Sequence, residues 1–482
     1  MDGRNTQAYN KITALLGALA NRNNSVFVLL SIIVILLIVD TSISRATSVL
    51  VERLSDERLA TFVLIGIISV VVAPYFVLKF IKRESTIIRT TERLHFSIIH
   101  RITEVSQYFL AAIFLFVVLQ MIIFSFYSMA AMTLATAIGY TLASLLMSLL
   151  AIKFFQWFRS NRNSVVFLYG LSSIMITINL AVTGLFVGDI LQSQPTIVLS
   201  SHLINVPFIP PGSIADLLNY PYVLSSILSF ILAWIATIWL LRHYSHSLGA
   251  IKFWVILCLP LVFFLLQFGP LFTDLLSPFF RTQPVLFVTF YTLFFASSKP
   301  MGGILFGIAF WTLAQKTRNN VVIRNYLLLS AYGFVLLFVS NQAVVLTFNI
   351  YPSFGLASVC FIGLSSYLLV IGIYSSATSL SQDIKLRQSI RRFAIKELQF
   401  LDGIGMGQME QQLEKRVLSI VKAEQNNIIE QTGVQTSLNE NDMKSYLNEV
   451  LDEIRKNKKI RHDFAKQKGE FSSDTRSKDK EE

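Results

Sequence analysis

The polar residues that could support chemistry lie in the middle of a long apolar stretch, PVLFVTFYTLFFASSKPMGGILFGIAFWTLAQ. Lys299 is its clear charge, and Ser298, Pro300, Gly302 and Gly303 surround it. A charge buried in a membrane is costly, so an ammonium group there is a candidate for holding an anion or pairing with a carboxylate. Proline removes a backbone donor and two glycines follow, so the sequence predicts a broken helix of the kind that lines transporter sites. The alternative is a kinked helix whose lysine reaches a crevice or binds carbonyl groups.

Other candidates for chemistry are weaker. Asp40, Asp189 and Asp274 lie near the ends of apolar stretches, and no stretch has an acid at its middle, which disfavours a proton- or sodium-coupled pump. His243 and His246 have metal-ligand spacing but no third ligand, so a solvated loop is the preferred interpretation.

Signatures of enzymes are also missing from the sequence. There is no Walker-type phosphate loop, and Cys258 and Cys360 each lie inside an apolar stretch, as small buried hydrophobic residues do. The sequence therefore predicts no catalytic residues, no metal site, no cofactor and no enzymatic activity.

Composition indicates a membrane protein. The chain has 482 residues, of which 53% are hydrophobic and only 15% charged. Soluble domains carry roughly 25% charged residues. From residue 378 onward, 19 basic residues face 18 acidic ones, so nearly all of the net charge of +12 lies in the preceding part. We therefore attribute the net positive charge to basic residues in the loops between membrane helices, and we exclude nucleic-acid binding.

The apolar stretches predict an all-α bundle of about ten transmembrane helices over residues 25–377, after a cytoplasmic segment at 1–24. Each stretch, the first together with its flanks, reaches the roughly 20 helical residues that cross a hydrocarbon core of roughly 30 Å. The first is Val26–Val39, and the others lie at about 61–80, 106–127, 129–152, 164–190, 221–241, 253–272, 284–315, 325–346 and 355–377.

The distribution of Lys and Arg predicts the orientation. With a cytoplasmic N-terminus, the inner loops and N-terminal segment hold 17 basic residues and the outer loops hold four. Positive residues concentrate on the cytoplasmic side. We therefore expect a multi-pass protein of the plasma membrane with both termini in the cytoplasm.

Two further patterns leave alternatives open. RNNSV at 22–26, RNSVV at 162–166 and RNNVV at 318–322 precede the first, fifth and ninth stretches, so they indicate either a four-span repeat or ordinary inner helix starts. The outer loop 191–220 has no basic residue and contains SIADLLNY, a short helix that Ser213 would cap. That loop is either a cover over a ligand pocket or, as we favour, an ordered connector.

The chain changes character after the last apolar stretch. Lys385, Arg387, Arg391, Arg392 and Lys396 alternate with apolar residues at helical spacing. A basic amphipathic helix of this kind would lie against anionic lipid headgroups. It would otherwise continue the last membrane helix.

A cytoplasmic helical tail is predicted over 378–456. Three glycines within 402–407 mark a hinge or turn. The helical stripes beyond it are too narrow to build a core, so they need each other, another subunit, the membrane or a protein partner. Residues 457–482 are charged and poor in apolar residues, which is typical of disorder.

YPSFGLASVCFIGLSSYLLVIGIYSSATSLSQDIKLRQSIRR, from Tyr351 to Arg392, resembles multi-span membrane proteins of ammonia-oxidising archaea. That family has no assigned activity, so the resemblance implies a prokaryotic plasma membrane and no particular chemistry.

Two functions follow from these features. The first is a non-enzymatic sensor or scaffold, in which the bundle responds to a ligand or to the membrane and the tail passes the signal to a partner. The alternative is a facilitative transporter or channel built around Lys299–Gly303.

Overall fold

The described part of the chain is almost entirely helical. The structure is a computed structural model, and it describes residues 22–50, 56–85, 93–124, 128–192, 212–242, 249–268, 294–317, 320–342, 353–382, 400–401 and 403–413.

Ten long helices make up most of these residues. They are α1 (Arg22–Leu50), α2 (Asp56–Ser85), α3 (Arg93–Phe124), α4 (Met129–Asn161), α5 (Ser164–Gln192), α6 (Ile214–Leu241), α7 (Ala250–Leu266), α8 (Ser298–Lys316), α9 (Val321–Ser340) and α10 (Ser353–Gln382).

Seven of these helices, namely α2 to α6, α9 and α10, are long and apolar enough to cross a membrane. α1 and α7 contain the shorter apolar stretches Val26–Ser42 and Ala250–Leu266. Large apolar side chains point outward, as in α3, where Ile122, Ile123 and Phe124 are 64–70% exposed. Such surfaces suit lipid rather than water. The all-helical fold predicted from the sequence is confirmed for the described residues, with seven helices that could span a membrane. The count of ten spans stays a prediction.

The recurring Arg-Asn pairs have a local role at helix starts. The side-chain oxygen of Asn163 accepts the N–H of Val165 at 2.9 Å before α5, and that of Asn320 accepts the N–H of Ile323 at 3.2 Å before α9. Asparagine is a preferred capping residue because it satisfies an otherwise unpaired amide. Both asparagines therefore have a capping role, and the four-span repeat stays a prediction.

Ser213 caps α6 as the sequence predicts, its hydroxyl accepting the N–H of Asp216 at 3.2 Å. The helix that starts there does not stop at Pro221 but runs on to Leu241. The predicted short helix and the following span are therefore one element.

α10 lies at the centre of the bundle. Almost every residue of its stretch Gly355–Ser381 is buried, and α1, α2, α3, α4 and α9 contact it. Small residues make this possible, since a Cβ built at Gly372 would lie 2.6 Å from the carbonyl oxygen of Tyr326 in α9. The helix that leads out to the tail is thus the one that the others enclose.

Polar contacts fasten the surrounding helices to α10. Asp40 of α1 accepts the backbone N–H of Gly355 at 3.1 Å. In α3, the Nδ1 of His100 lies 2.6 Å from the hydroxyl of Tyr367, and the amide of Gln107 donates to the carbonyl oxygen of Cys360 at 3.0 Å. Buried groups such as these are hydrogen-bonded because leaving them unpaired is costly.

The chain divides into two compact units, residues 1–407 and 408–482. In the second unit, the described residues 408–413 are helical.

Candidate functional site

The predicted break around Lys299 lies slightly earlier in the chain. Residues 294–296 are helical, Ser297 forms a turn, and α8 begins at Ser298. The residues predicted to break the helix therefore form its first turns. Pro300 falls in the first turn, where a backbone N–H has no acceptor within the helix, so its missing donor costs nothing.

Gly302 and Gly303 bring α8 close to its neighbours rather than kinking it. A Cβ at Gly302 would clash with the ring of Phe230 in α6. A Cβ at Gly303 would lie 2.8 Å from the Cβ of Phe338 and 3.2 Å from the carbonyl oxygen of Val335, both in α9. These two candidate residues therefore have a packing role.

Lys299 is half-buried and contacts two other helices. Its Nζ donates to the backbone carbonyl of Asn341, the residue that directly follows and caps α9, at 3.4 Å. The same Nζ lies 5.6 Å from the ring centroid of Tyr222 in α6. A cation is favourable at a helix C-terminus and over an aromatic face. These contacts compensate the charge within the bundle.

A chain of buried side-chain hydrogen bonds continues from Asn341. Its Nδ2 donates to the Oδ1 of Asn179 in α5 at 2.8 Å, and the Nδ2 of Asn179 donates to the hydroxyl of Ser225 in α6 at 3.1 Å. The hydroxyl of Tyr140 in α4 donates to the Oδ1 of Asn341 at 3.4 Å. We refer to Tyr140, Asn179, Ser225, Lys299 and Asn341 as the polar cluster. It joins α4, α5, α6, α8 and α9.

Two further polar side chains hold the backbone where α8 begins. The amide of Gln342 donates to the carbonyl oxygen of Ala296 at 3.1 Å, and the hydroxyl of Ser298 donates to that of Phe295 at 2.8 Å. The hydroxyl of Ser298 therefore stabilises the turn that Ser298 itself follows. Ser340, also fully buried, carries a hydroxyl without a hydrogen-bond partner among the described residues.

The polar cluster lies deep within the bundle. Asn179 is 15 residues from the start of α5 and 13 from its end, which places it about 20 Å from either end at 1.5 Å per residue. The start of α8 and the end of α9 meet at this level. Non-helical backbone at membrane depth is tolerated only inside protein or along a water-filled cavity.

A second cluster forms around Phe400, beyond the end of α10. The ring centroid of Phe400 lies 5.2 Å from Tyr169 in α5, 5.8 Å from Phe310 in α8 and 6.3 Å from Phe154 in α4. Phe334 of α9 stacks on Phe310 at 5.1 Å. We refer to these five residues as the aromatic cluster. Aromatic pairs at such distances contribute beyond the area they bury.

The glycines after Phe400 are helical, so the hinge or turn expected at 402–407 is absent from residues 403–407. A Cβ at Gly403 would lie 2.9 Å from the side-chain nitrogen of Asn163, one at Gly405 would lie 2.5 Å from Leu380, and one at Gly407 would lie 2.9 Å from the Cα of Trp157. Glycine is needed here for close approach of this short helix to the bundle rather than for flexibility.

The polar and aromatic clusters share four helices. α4 supplies Tyr140 and Phe154, α5 supplies Asn179 and Tyr169, α8 supplies Lys299 and Phe310, and α9 supplies Asn341 and Phe334. The paired residues are 14, 10, 11 and 7 positions apart, which corresponds to about 10–20 Å along each helix. The same four helices therefore connect the polar cluster to the aromatic contacts of Phe400. Sequence reasoning missed this arrangement, because its members are far apart in the chain.

Several predicted features lie outside the described residues. They are the basic residues Lys385, Arg387, Arg391, Arg392 and Lys396, the histidines His243 and His246, most of the outer loop, and the tail beyond residue 413. Among the residues that the structure does describe, no group of three or more His, Cys, Asp or Glu side chains is arranged to hold a metal ion.

No protein-family model, curated protein or solved structure matches this chain. The resemblance of Tyr351–Arg392 to an archaeal membrane family remains a prediction.

Proposed function

We propose that this protein is a non-enzymatic membrane sensor that passes a change at the polar cluster to the chain following α10. The observation that carries the proposal is that α4, α5, α8 and α9 each contribute to both the polar cluster and the aromatic cluster around Phe400. Packed helices transmit small shifts because a close-packed interior does not absorb them.

The polar cluster would be the part of the protein that responds to a ligand. Lys299 is only half-buried, and its ammonium donates to the backbone carbonyl of Asn341 at the end of α9. A polar solute that competed for this ammonium would loosen α8 from Asn341. Phe310, on the same helix, would then shift against Phe400.

The short helix at 403–407 would pass the change on to the tail. It contacts α10 through Leu380 and α4 through Trp157. We propose that displacement of this helix alters how the following tail binds a cytoplasmic protein or a second copy of the chain. In the proposed orientation, ten spans cross the plasma membrane and both termini are cytoplasmic, in keeping with the basic inner loops.

Hydrogen exchange of residues 400–407 in lipid nanodiscs tests the proposal. Lys299→Ala and Asn341→Ala should each raise exchange there about tenfold, which corresponds to about 1.4 kcal/mol. Gly407→Ala, which would meet the Cα of Trp157, is the positive control. Gly188→Ala in α5, where a Cβ has no neighbour within 4 Å, is the matched neutral control. Unchanged exchange in both cluster variants, with a rise in Gly407→Ala, would rule out the sensor route.

Facilitative transport is the second candidate, and one observation favours it. The turn at Ser297 and the non-helical residue Asn341 meet deep in the bundle beside Lys299. Transporters place substrate at such helix interruptions.

Swelling of liposomes containing the purified chain tests this second function, with glycerol, urea, potassium chloride and sodium acetate as solutes. Transport predicts entry of at least one solute above protein-free liposomes and a change in its rate in Lys299→Ala. Rates equal to those of empty liposomes for all four would count against it.

A further inference from the structure

A basic surface is formed by the inner ends of α2 and α3. Lys79, Lys82 and Arg83 of α2 and Arg101 of α3 are all exposed. α2 and α3 contact each other, and residues 86–92 connect the end of α2 to the start of α3, so these ends are neighbours. The four cations therefore belong to one surface.

Two tyrosines lie directly above these cations. Tyr75 of α2 and Tyr108 of α3 are 42% and 45% exposed. The Nζ of Lys79 donates to the hydroxyl of Tyr75 at 3.4 Å and lies 5.4 Å from its ring centroid. Tyr75, Lys79 and Lys82 follow one another at helical spacing, so they form a single stripe on α2.

Exposed apolar side chains continue the same surface toward the middle of the bundle. They are Leu64, Ile68 and Val72 on α2 and Phe116, Leu119 and Ile123 on α3. From the middle of the bundle toward the basic ends, both helices present exposed apolar residues, then a tyrosine, then basic residues. A phospholipid presents the matching order of acyl chain, glycerol region and phosphate.

The charge balance of the surface favours an anion. Among its described side chains, the carboxylate is Glu104, which accepts from the hydroxyl of Tyr108 at 3.5 Å and lies 4.0 Å from the Nε2 of His100.

We infer that this surface, formed by Tyr75, Lys79, Lys82, Arg101 and Tyr108, binds an anionic phospholipid of the inner leaflet. The cations hold the phosphate, the tyrosines lie at the glycerol level, and the apolar stripes hold the acyl chains. A free phosphate compound would contact only the cations. The exposed apolar side chains of α2 and α3 beyond the tyrosines therefore favour a lipid as the ligand.

Thermal stabilisation of the full-length protein in detergent tests the inference. Phosphatidylglycerol should stabilise the protein, whereas phosphatidylcholine and free glycerol 3-phosphate should not. Replacing Lys79, Lys82 and Arg101 together by Gln should raise the half-saturating phosphatidylglycerol concentration about tenfold or more, since each cation contributes to holding the headgroup. Retaining the charges with Lys79→Arg and Lys82→Arg should preserve binding.

The matched control removes the same charge elsewhere. Arg159, Lys252 and Lys316 are exposed residues near inner ends of α4, α7 and α8. Replacing these three by Gln should change the half-saturating concentration less than about twofold if the α2–α3 surface is the site, because surface attraction falls off within a Debye length. An equal loss in both triple variants, or equal stabilisation by phosphatidylcholine or glycerol 3-phosphate, would overturn the inference.

Discussion

Asn341, at the end of α9, donates its side-chain amide to the side-chain oxygen of Asn179, near the middle of α5, across 2.8 Å. Both side chains are buried. This bond ties non-helical backbone at the end of one helix to the centre of another. The polar cluster therefore depends on it for its geometry.

Asn179→Ala should destabilise the protein by about 1–2 kcal/mol, because it leaves the Asn341 amide without its acceptor in a buried site. The measurement is reversible unfolding in mixed micelles as SDS is added. Thr177→Ala is the control, since this half-buried hydroxyl on the same helix donates to the backbone carbonyl of Ser173, four residues earlier. Equal effects of the two substitutions would show that the amide pair contributes nothing specific.

Gly372→Ala should be strongly destabilising. A Cβ there would lie 2.6 Å from the carbonyl oxygen of Tyr326 and 2.7 Å from the backbone nitrogen of Ser330, so α9 and α10 would have to separate. Overpacking of this kind costs about 1–3 kcal/mol. Gly188→Ala in α5 meets no atom within 4 Å, and it should be neutral or slightly stabilising because alanine favours helix. Similar unfolding midpoints for the two variants would contradict the close approach of α9 and α10.

The proposed orientation predicts opposite labelling of two exposed positions. Leu217, near the start of α6, is 76% exposed, and Ile251, at the start of α7, is 82% exposed. In a chain with Cys258 and Cys360 replaced by Ala, a membrane-impermeant maleimide should label Leu217→Cys in intact cells and Ile251→Cys only after lysis. The reverse pattern would invert the topology and place the basic loops outside.

Much of the helical architecture could be predicted from the sequence, because apolar length and capping residues act locally. The starts of α5, α6 and α9 follow from Asn163, Ser213 and Asn320, each of which pairs with an amide two or three residues away. The central place of α10 could not be predicted in this way. Its burial depends on which other helices surround it.

The candidate site was predicted only in part, for the same reason. Lys299 stands out as a charge in an apolar stretch, but its partner Asn341 is 42 residues away, and Asn341 and Asn179 are 162 residues apart. Gly405 and Gly407 suggest flexibility when only local propensity is considered. Their contacts with Leu380 and Trp157 show that tertiary packing determines their role.

Thermodynamic coupling between Asn341 and Phe400 tests the central claim most directly. Substitutions more than about 10 Å apart with no shared contacts are normally additive to within about 0.5 kcal/mol. The sensor route predicts that Asn341→Ala and Phe400→Ala, combined in a double-mutant cycle of unfolding, deviate from additivity by more than that. Asn341→Ala with Phe114→Ala, a buried residue of α3 outside both clusters, should be additive. Additivity in both cycles would contradict the claim that the polar cluster and the Phe400 segment act as one unit.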